Sequence, residues 1–179
     1  AYVRANPDKL TYGSAGIGNI SHLGALLFLQ TNGLTALHVP YKGSDPMVID
    51  AAAGRIQFGM QNLLTAVPLV KDRRLKGLAI ASLKRSPLLP DVPTFAETVM
   101  PGFTVGTWHG VMAPAKTPLA IVKRLNSEIT RALDPELRSR LVQLGVEPQG
   151  STEEDYGAYV RRELDSWTKL IKSAGIKAE

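Results

Sequence analysis

The sequence predicts an α/β fold organised on a mostly parallel sheet. Short apolar runs of strand type alternate with longer stretches of helical periodicity between residues 10 and 81. Each strand-to-helix junction carries turn-forming or capping residues, at positions 13–19, 41–45 and 61–62. The composition is that of a globular chain, 179 residues with 44% hydrophobic and 21% charged, enough for one domain or two small lobes. Strand–helix–strand units at this spacing set successive strands parallel. Their three turns then fall on one sheet edge, at the carboxyl ends of the strands, where open α/β sheets bind ligands.

The chain opens on Ala1-Tyr2-Val3-Arg4-Ala5-Asn6-Pro7, which reads as the last turns of a helix and lacks an initiating Met. A fragment, or a chain whose beginning has been removed, is the expectation. Leu10-Thr11-Tyr12 is the first strand, and Gly13-Ser14-Ala15-Gly16-Ile17-Gly18-Asn19 turns it into a helix that runs to Asn32-Gly33, a C-cap signal. Ala36-Leu37-His38-Val39-Pro40 is the second strand. It enters Tyr41-Lys42-Gly43, after which Ser44 or Asp45 is expected to cap a helix that has Pro46 in its first turn and ends near Gly54. Ile56-Gln57-Phe58-Gly59-Met60 is the third strand, followed by Gln61-Asn62 and a helix over residues 63–70 interrupted by Pro68. Residues 75–81 are expected as the next strand.

Prolines at 87, 90 and 93 and the pair Pro101-Gly102 punctuate the next stretch and place a lobe boundary at residues 100–105. Residues 103–113 are expected as one long strand running out of one lobe into another. Helices start at Thr117-Pro118 and Pro135-Glu136, a short strand is expected at Val146-Glu147-Pro148, and a last helix covers residues 152 to about 174. Thr152 and Asp155 have the spacing of a capping box.

The first turn is the chain's best anion site. A helix start has amides without intrahelical partners and the positive end of the helix dipole, and glycine lets a backbone approach a ligand closely. Ser14, Ala15, Gly16, Gly18 and Asn19 are therefore candidate contacts. Tyr41, Lys42 and Gly43 supply a phenol, an ammonium and a close-approach position at the second helix start, and read equally as a solvated turn. Gln61-Asn62 is a neutral amide pair able to donate to a carboxylate, although capping alone accounts for Asn62.

Other chemistries fit less well. Gly16-x-Gly18-x-x-Ser21 departs from a dinucleotide fingerprint at its third glycine, and the next strand ends in Pro40-Tyr41-Lys42 where an acid should hold the ribose. Gly13-Ser14-Ala15-Gly16 departs from a nucleophile elbow at Tyr12. Asp50 or Asp91 and His109 follow Ser14 in triad order, but no earlier strand supplies an oxyanion loop. His22, His38 and His109 share no metal-ligand spacing. His22 reads as a packing residue, and Trp108 and Trp167 as core. The candidates are donors without a nucleophile and its base, so a binding protein without cofactor or metal is expected. An α/β enzyme, hydrolase or nucleotide-dependent, using the same turn is the alternative.

Twenty-one Lys and Arg against 16 Asp and Glu give a net charge of +5, favouring anionic partners in general. The basic clusters at residues 71–76 and 84–85 are short and lack interleaved aromatics, so no nucleic-acid surface is expected. The absence of cysteine excludes disulfides and thiolate chemistry and is compatible with an oxidising or a reducing compartment. No apolar run approaches the ~20 residues of a membrane span, and no signal segment stands at the start.

Five ordered motifs carry a resemblance over nearly the whole chain. They are residues 10–19 with His22-Leu23; His38-Val39-Pro40-Tyr41-Lys42-Gly43; Leu89-Pro90-Asp91-Val92-Pro93-Thr94-Phe95-Ala96-Glu97; Pro101-Gly102-Phe103 with residues 108–114 and Thr117-Pro118; and Leu144-Gly145-Val146-Glu147-Pro148. The chain resembles the substrate-binding proteins of tripartite tricarboxylate transporters, the Bug-type periplasmic receptors. The resemblance implies a type II periplasmic-binding-protein-like architecture of two lobes closing on a small carboxylate, without covalent chemistry, for delivery to membrane transporter subunits. It also implies that an initial segment of the first lobe, with half of the carboxylate clamp, is absent. Residues 1–102 would be the second lobe, nearly complete. Residues 103–179 would be a crossover strand and C-terminal helices of the partial first lobe. By motif, residues 14–19 and 41–43 would face the ligand. The family often has an Asp-Asn pair where this chain has Gln61-Asn62, so a preference based on an acid at 61 does not transfer. Self-association through the surface left by the absent segment is a further expectation.

Overall fold

The computed structural model describes residues 2–176. Ala1, at the head of the helical opening, and the last three residues of the predicted second segment lie outside the described residues. The opening is a short helix, α1 (Tyr2–Ala5).

Three strands, β1 (Thr11–Ser14), β2 (Leu37–Pro40) and β3 (Phe58–Gly59), form a parallel sheet in the order β2-β1-β3. Tyr12 lies opposite His38 on one side and Phe58 on the other, and Ser14 lies opposite Pro40. Side chains alternate across a strand, so Tyr12, Ser14, His38 and Phe58 share one face of the sheet while Gly13, Val39 and Gly59 share the other.

Helix α2 (Ile20–Thr31) covers the first face, where Tyr12, Ala25 and Leu29 are buried against Phe28, Leu34, Ala36, Phe58 and Met60. Helix α3 (Ser44–Ala52) covers the second, burying Met47, Val48 and Ile56 against Val39, Tyr41, Leu69 and Leu75, with α4 (Leu63–Lys71) beside it. Gly13 and Gly59 are where this layer presses closely on the sheet, Met47 reaching over both. A Cβ at Gly13 would overlap Ile56 Cδ1 and lie 2.8 Å from Met47 Cγ. The first crossover goes to one side of β1 and the second returns to the other, so the direction of winding reverses at β1 and β3 and opens a crevice at their carboxyl ends.

The stretches expected as further strands are mostly irregular. Residues 75–81 form no strand; Ile80 makes a single parallel bridge to Thr94, the fully buried cap of α5 (Phe95–Thr98). Residues 103–113 form none either, because Val105 N–H donates once, to Ala81 O at 3.0 Å, and no second chain segment continues a ladder among the described residues. At 146–148 the reason is local. Val146 N–H closes the end of a helix by donating to Leu141 O, and Pro148 has no N–H to offer. The third strand contracts from the expected five residues to Phe58–Gly59.

The chain forms two compact units. One runs to Thr107 and takes in the chain from Leu170; the other is Trp108–Lys169. The second unit holds α6 (Leu119–Ala132), α7 (Pro135–Gln143) and most of α8 (Glu153–Ser173). Within it the Trp108 ring meets Tyr156 and Tyr159 edge-on, at 5.9 and 5.6 Å, yet remains 38% exposed. Trp167 is half-buried and donates from Nε1 to Glu163. Neither tryptophan is the core residue the sequence led one to expect. Among the described residues no helix is long and apolar enough to cross a membrane.

Candidate functional site

The three turns after β1, β2 and β3 meet at one edge of the sheet, and hydrogen bonds tie them together. Tyr41 N–H donates to Ser14 O at 2.9 Å and Gly43 N–H to Ala15 O at 3.2 Å, joining the first turn to the second. Gln61 Nε2 donates to Ser44 O at 3.3 Å, joining the third to the start of α3. Every candidate residue from the sequence therefore lies on this edge.

The amides expected to be free in the first turn are largely engaged. Ala15 N–H donates to Ser21 Oγ at 2.9 Å, Gly16 N–H to Ser14 Oγ at 3.2 Å and Gly18 N–H to His22 Nδ1 at 3.1 Å. Asn19 caps α2, its Oδ1 accepting from Ser21 N–H at 3.1 Å and from Ser21 Oγ–H at 3.0 Å. Ser14 is fully buried and offers no surface to a ligand. What the turn leaves outward is the exposed tip at Ile17, Gly18 and Asn19; the Ile17 N–H meets no acceptor among the described residues.

In the second turn, the Tyr41 hydroxyl donates to Asp50 Oδ2 at 2.8 Å, and Asp50 also pairs with Arg55 at 2.7 Å. The phenol thus faces α3, and these two bonds hold the Asp50 carboxyl below its ordinary range, the Tyr41 bond foremost. Lys42 is exposed. Gly43, at φ 110°, is the N-cap of α3, displacing Ser44 and Asp45 from the capping role expected of them, and no side chain caps this helix. The Ser44 and Asp45 amides are consequently the first-turn donors of α3 that no side chain caps, Pro46 having none; the turn carries the Asp45 carboxylate and is preceded by the exposed Lys42. Asn62, by contrast, caps α4, accepting from Leu64 N–H at 3.3 Å.

Two residues outside the candidate set hold the arrangement from below. His38 Nε2 lies 2.6 Å from Ser14 Oγ, and the His38 ring stacks on His22 with centroids 3.9 Å apart. Burial, and then the neighbouring His22, push His38 down to about 4, and burial lowers His22. Both imidazoles are neutral at neutral pH. Tyr12, stacked on His38 at 4.9 Å, is pushed up by burial to about 12. No spacing rule links His22 to His38; only the register of β1 with β2, together with α2 folding back over that face, brings them together.

Two shallow surface grooves lie elsewhere, one lined by Thr130, Arg138 and Thr152, the other by Arg73, Lys76 and Asp91. Residues 1–176 match the family model of the tripartite tricarboxylate transporter family receptor, TctC. The chain belongs to the TctC family. Its sequence is 41% identical over 170 residues to a Pseudomonas protein known as the UPF0065 protein in the tcbD-tcbE intergenic region, covering 94% of this chain and 51% of that one. Among solved structures, Rpa4515 of R. palustris with adipate is 37% identical with a TM-score of 0.80, and the match covers 98% of this chain and 59% of that one. MatC of Rhodopseudomonas palustris with bound malate is 33% identical with a TM-score of 0.74, over 95% of this chain and 59% of that one. The chain thus spans about half the length of the first curated relative.

This is the family that the sequence motifs resemble, and the periplasmic-binding-protein α/β class is the fold its structural neighbours share. TctC proteins are receptors, not enzymes, and the hydrolase alternative fails on geometry as well. The buried Ser14 pairs with His38 rather than His109, which lies in the other compact unit, and Asp50 is committed to Tyr41 and Arg55. Among the described residues no carboxylate hydrogen-bonds the His38 ring, so the third member of a triad is missing.

Proposed function

We propose that this TctC chain captures a small organic carboxylate, non-covalently and in the periplasm, for delivery to the membrane subunits of a tripartite tricarboxylate transporter. The observation that carries the reading is the uncapped start of α3, beside Lys42 and the exposed tip of the first turn, at the carboxyl edge of the sheet. A carboxylate there accepts from helix-start amides and lies close to an ammonium; each charge-assisted hydrogen bond contributes roughly 1.5–3 kcal/mol. The ligands named for the structural neighbours, adipate and malate, are of this class. The first turn takes part through Ile17, Gly18 and Asn19, while Ser14, Ala15 and Gly16 act as its scaffold. Asn62 contributes its Nδ2 while its Oδ1 serves α4.

Residues 1–102 act in this reading as the ligand-facing lobe, and residues 103–179 as a crossover and C-terminal helices of the other. The chain matches 59% of the adipate- and malate-bound neighbours, so binding by these 179 residues alone is expected to be weak. Titration of adipate and of malate, followed by amide NMR, tests the reading at any affinity. Shifts concentrated at Ile17, residues 42–45 and Asn62 support it; no saturable shift at those amides with either acid sinks it. Exposed Ile121, Leu125 and Ile129 along α6 are the surface through which the chain self-associates, and a monomer at all concentrations in analytical ultracentrifugation rules that out.

A further inference from the structure

We infer that His22 is a positioning residue of the ligand-facing turn, accepting from Gly18 N–H, and that protonating it releases the turn and weakens anion capture. The inference rests on carboxylate capture at this sheet edge and adds a pH dependence to the same site.

The geometry assigns His22 an acceptor role. Gly18 N–H donates to its Nδ1 at 3.1 Å, tying the exposed tip of the turn, where Gly18 holds φ 74°, to the first turn of α2. An imidazole accepts only through an unprotonated nitrogen; imidazolium has two donors and no acceptor. Protonation therefore sets an N–H against an N–H and breaks the tie. The opposite face of the support is just as constrained. The His38 ring covers the His22 ring with planes parallel to 2°, while its Nε2 contacts the buried Ser14 hydroxyl that accepts from Gly16 N–H. One pair of rings thus holds Gly16, through Ser14, and Gly18.

Little around the pair favours a charge. From β1 it meets Tyr12, a phenol, and the Ser14 hydroxyl; from β2 and α2 the rings meet each other; Phe58 of β3 packs on Tyr12. Among the described residues no carboxylate pairs with either histidine to compensate an added proton. Burial lowers the proton affinity of both rings, and the neighbouring His22 lowers that of His38 further. The turn is accordingly intact at neutral pH and loosens on the acid side.

The test has two parts. In the ligand-free protein near about pH 7.5, imidazole nitrogen NMR is expected to show His22 with Nδ1 unprotonated and Nε2 protonated, and the Gly18 amide to move with the His22 ring as the pH falls to about 5. A protonated Nδ1, or a Gly18 amide that stays still while His22 titrates, overturns the inference. In adipate titrations the wild type is expected to lose affinity relative to His22→Asn across the pH range in which NMR shows the His22 ring taking up its proton. Asparagine keeps an acceptor near the place of Nδ1 without titrating, and the protonation of adipate itself is common to both proteins. Binding by His22→Leu, which offers no acceptor, is expected to be weaker than by either at neutral pH. Parallel pH slopes in wild type and His22→Asn overturn the inference. Should adipate and malate both fail to bind at neutral pH, the carboxylate reading falls, and the coupling of Gly18 to His22 still decides whether this support exists.

Discussion

The imidazole rings of His22 and His38 stack with centroids 3.9 Å apart and planes 2° from parallel, beneath the turn that carries the candidate anion site. Two imidazolium charges at that distance would repel by about 4 kcal/mol at an effective dielectric constant near 20. Folding therefore selects neutral rings. His22 and His38 both have folded pKa values below the unfolded 6.5, that of His38 at about 4. Between the two values the unfolded chain binds more protons, so stability is complete above pH 6.5 and is lost as pH falls from 6.5 towards 4. The expected loss is about 1–2 kcal/mol, less than the full shift would give because water screens the half-buried His38 ring. Urea unfolding of wild type and His38→Gln at neutral and acid pH measures it. The variant keeps a partner for Ser14 and does not titrate, so its stability should fall less with acid than the wild type's.

Gly13 lies at a tight contact between the sheet and the α3 layer. Its Cβ in an alanine variant would overlap Ile56 Cδ1 and lie 2.8 Å from Met47 Cγ, both on buried side chains that have little room to retreat. Gly13→Ala is expected to cost about 1–3 kcal/mol by overpacking. A combined Gly13→Ala, Ile56→Val variant, which returns one methylene of space, should recover part of that loss in thermal unfolding. If the single variant unfolds like the wild type, the contact is looser than these distances require.

The sequence made local features legible and long-range partnerships illegible. The limits of α2 follow from Asn19, whose side chain caps it, and Gly33, which takes φ 59° while its N–H donates to Gln30 O. The three edge turns follow from strand–helix alternation alone. Residues 103–113 and 146–148 look like strands because strand composition is local, whereas a strand exists only where another segment supplies a ladder. The engaged amides of the first turn are a case of the same kind. Nothing in Gly13-Ser14-Ala15-Gly16 announces that Ser21 and His22, a turn later, will accept its N–H groups, or that His38 will reach Ser14 across the register.

The end of α4 shows how a missing glycine hides a cap. Arg73 has φ 59° and donates to Val70 O while Arg74 N–H donates to Leu69 O, the same pair of closing bonds that Gly33 and Leu34 make after α2. A side chain in this left-handed conformation is strained, and the helix end is not signalled in the sequence because arginine occupies the glycine position. Arg73→Gly is expected to raise stability by about 0.5–1 kcal/mol, the relief of strain exceeding the added entropy of the unfolded chain. Equilibrium denaturation measures the sign; a destabilised variant would mean that the Arg73 side chain makes contacts worth more than the strain.

Asn62 separates capping from ligand binding. Its Oδ1 accepts from Leu64 N–H at the start of α4, and its N–H takes the Gln61 side-chain oxygen at 3.0 Å, so the residue is explained structurally before any ligand is considered. Asn62→Ala removes the cap and is expected to cost about 1 kcal/mol in denaturation. Asn62→Asp keeps an acceptor at the same place, adds a negative charge that the helix start favours, and should unfold no more easily than the wild type. The two variants diverge for a carboxylate. If Nδ2 of Asn62 donates to the bound anion, Asn62→Asp exchanges that donor for a repelling charge and should weaken adipate binding more than Asn62→Ala does, despite being the more stable protein. If Asn62 only caps the helix, the order reverses, because loosening α4 in the alanine variant is then the larger disturbance. Stability and affinity therefore move in opposite directions in one case and together in the other, and the pair of measurements assigns the residue.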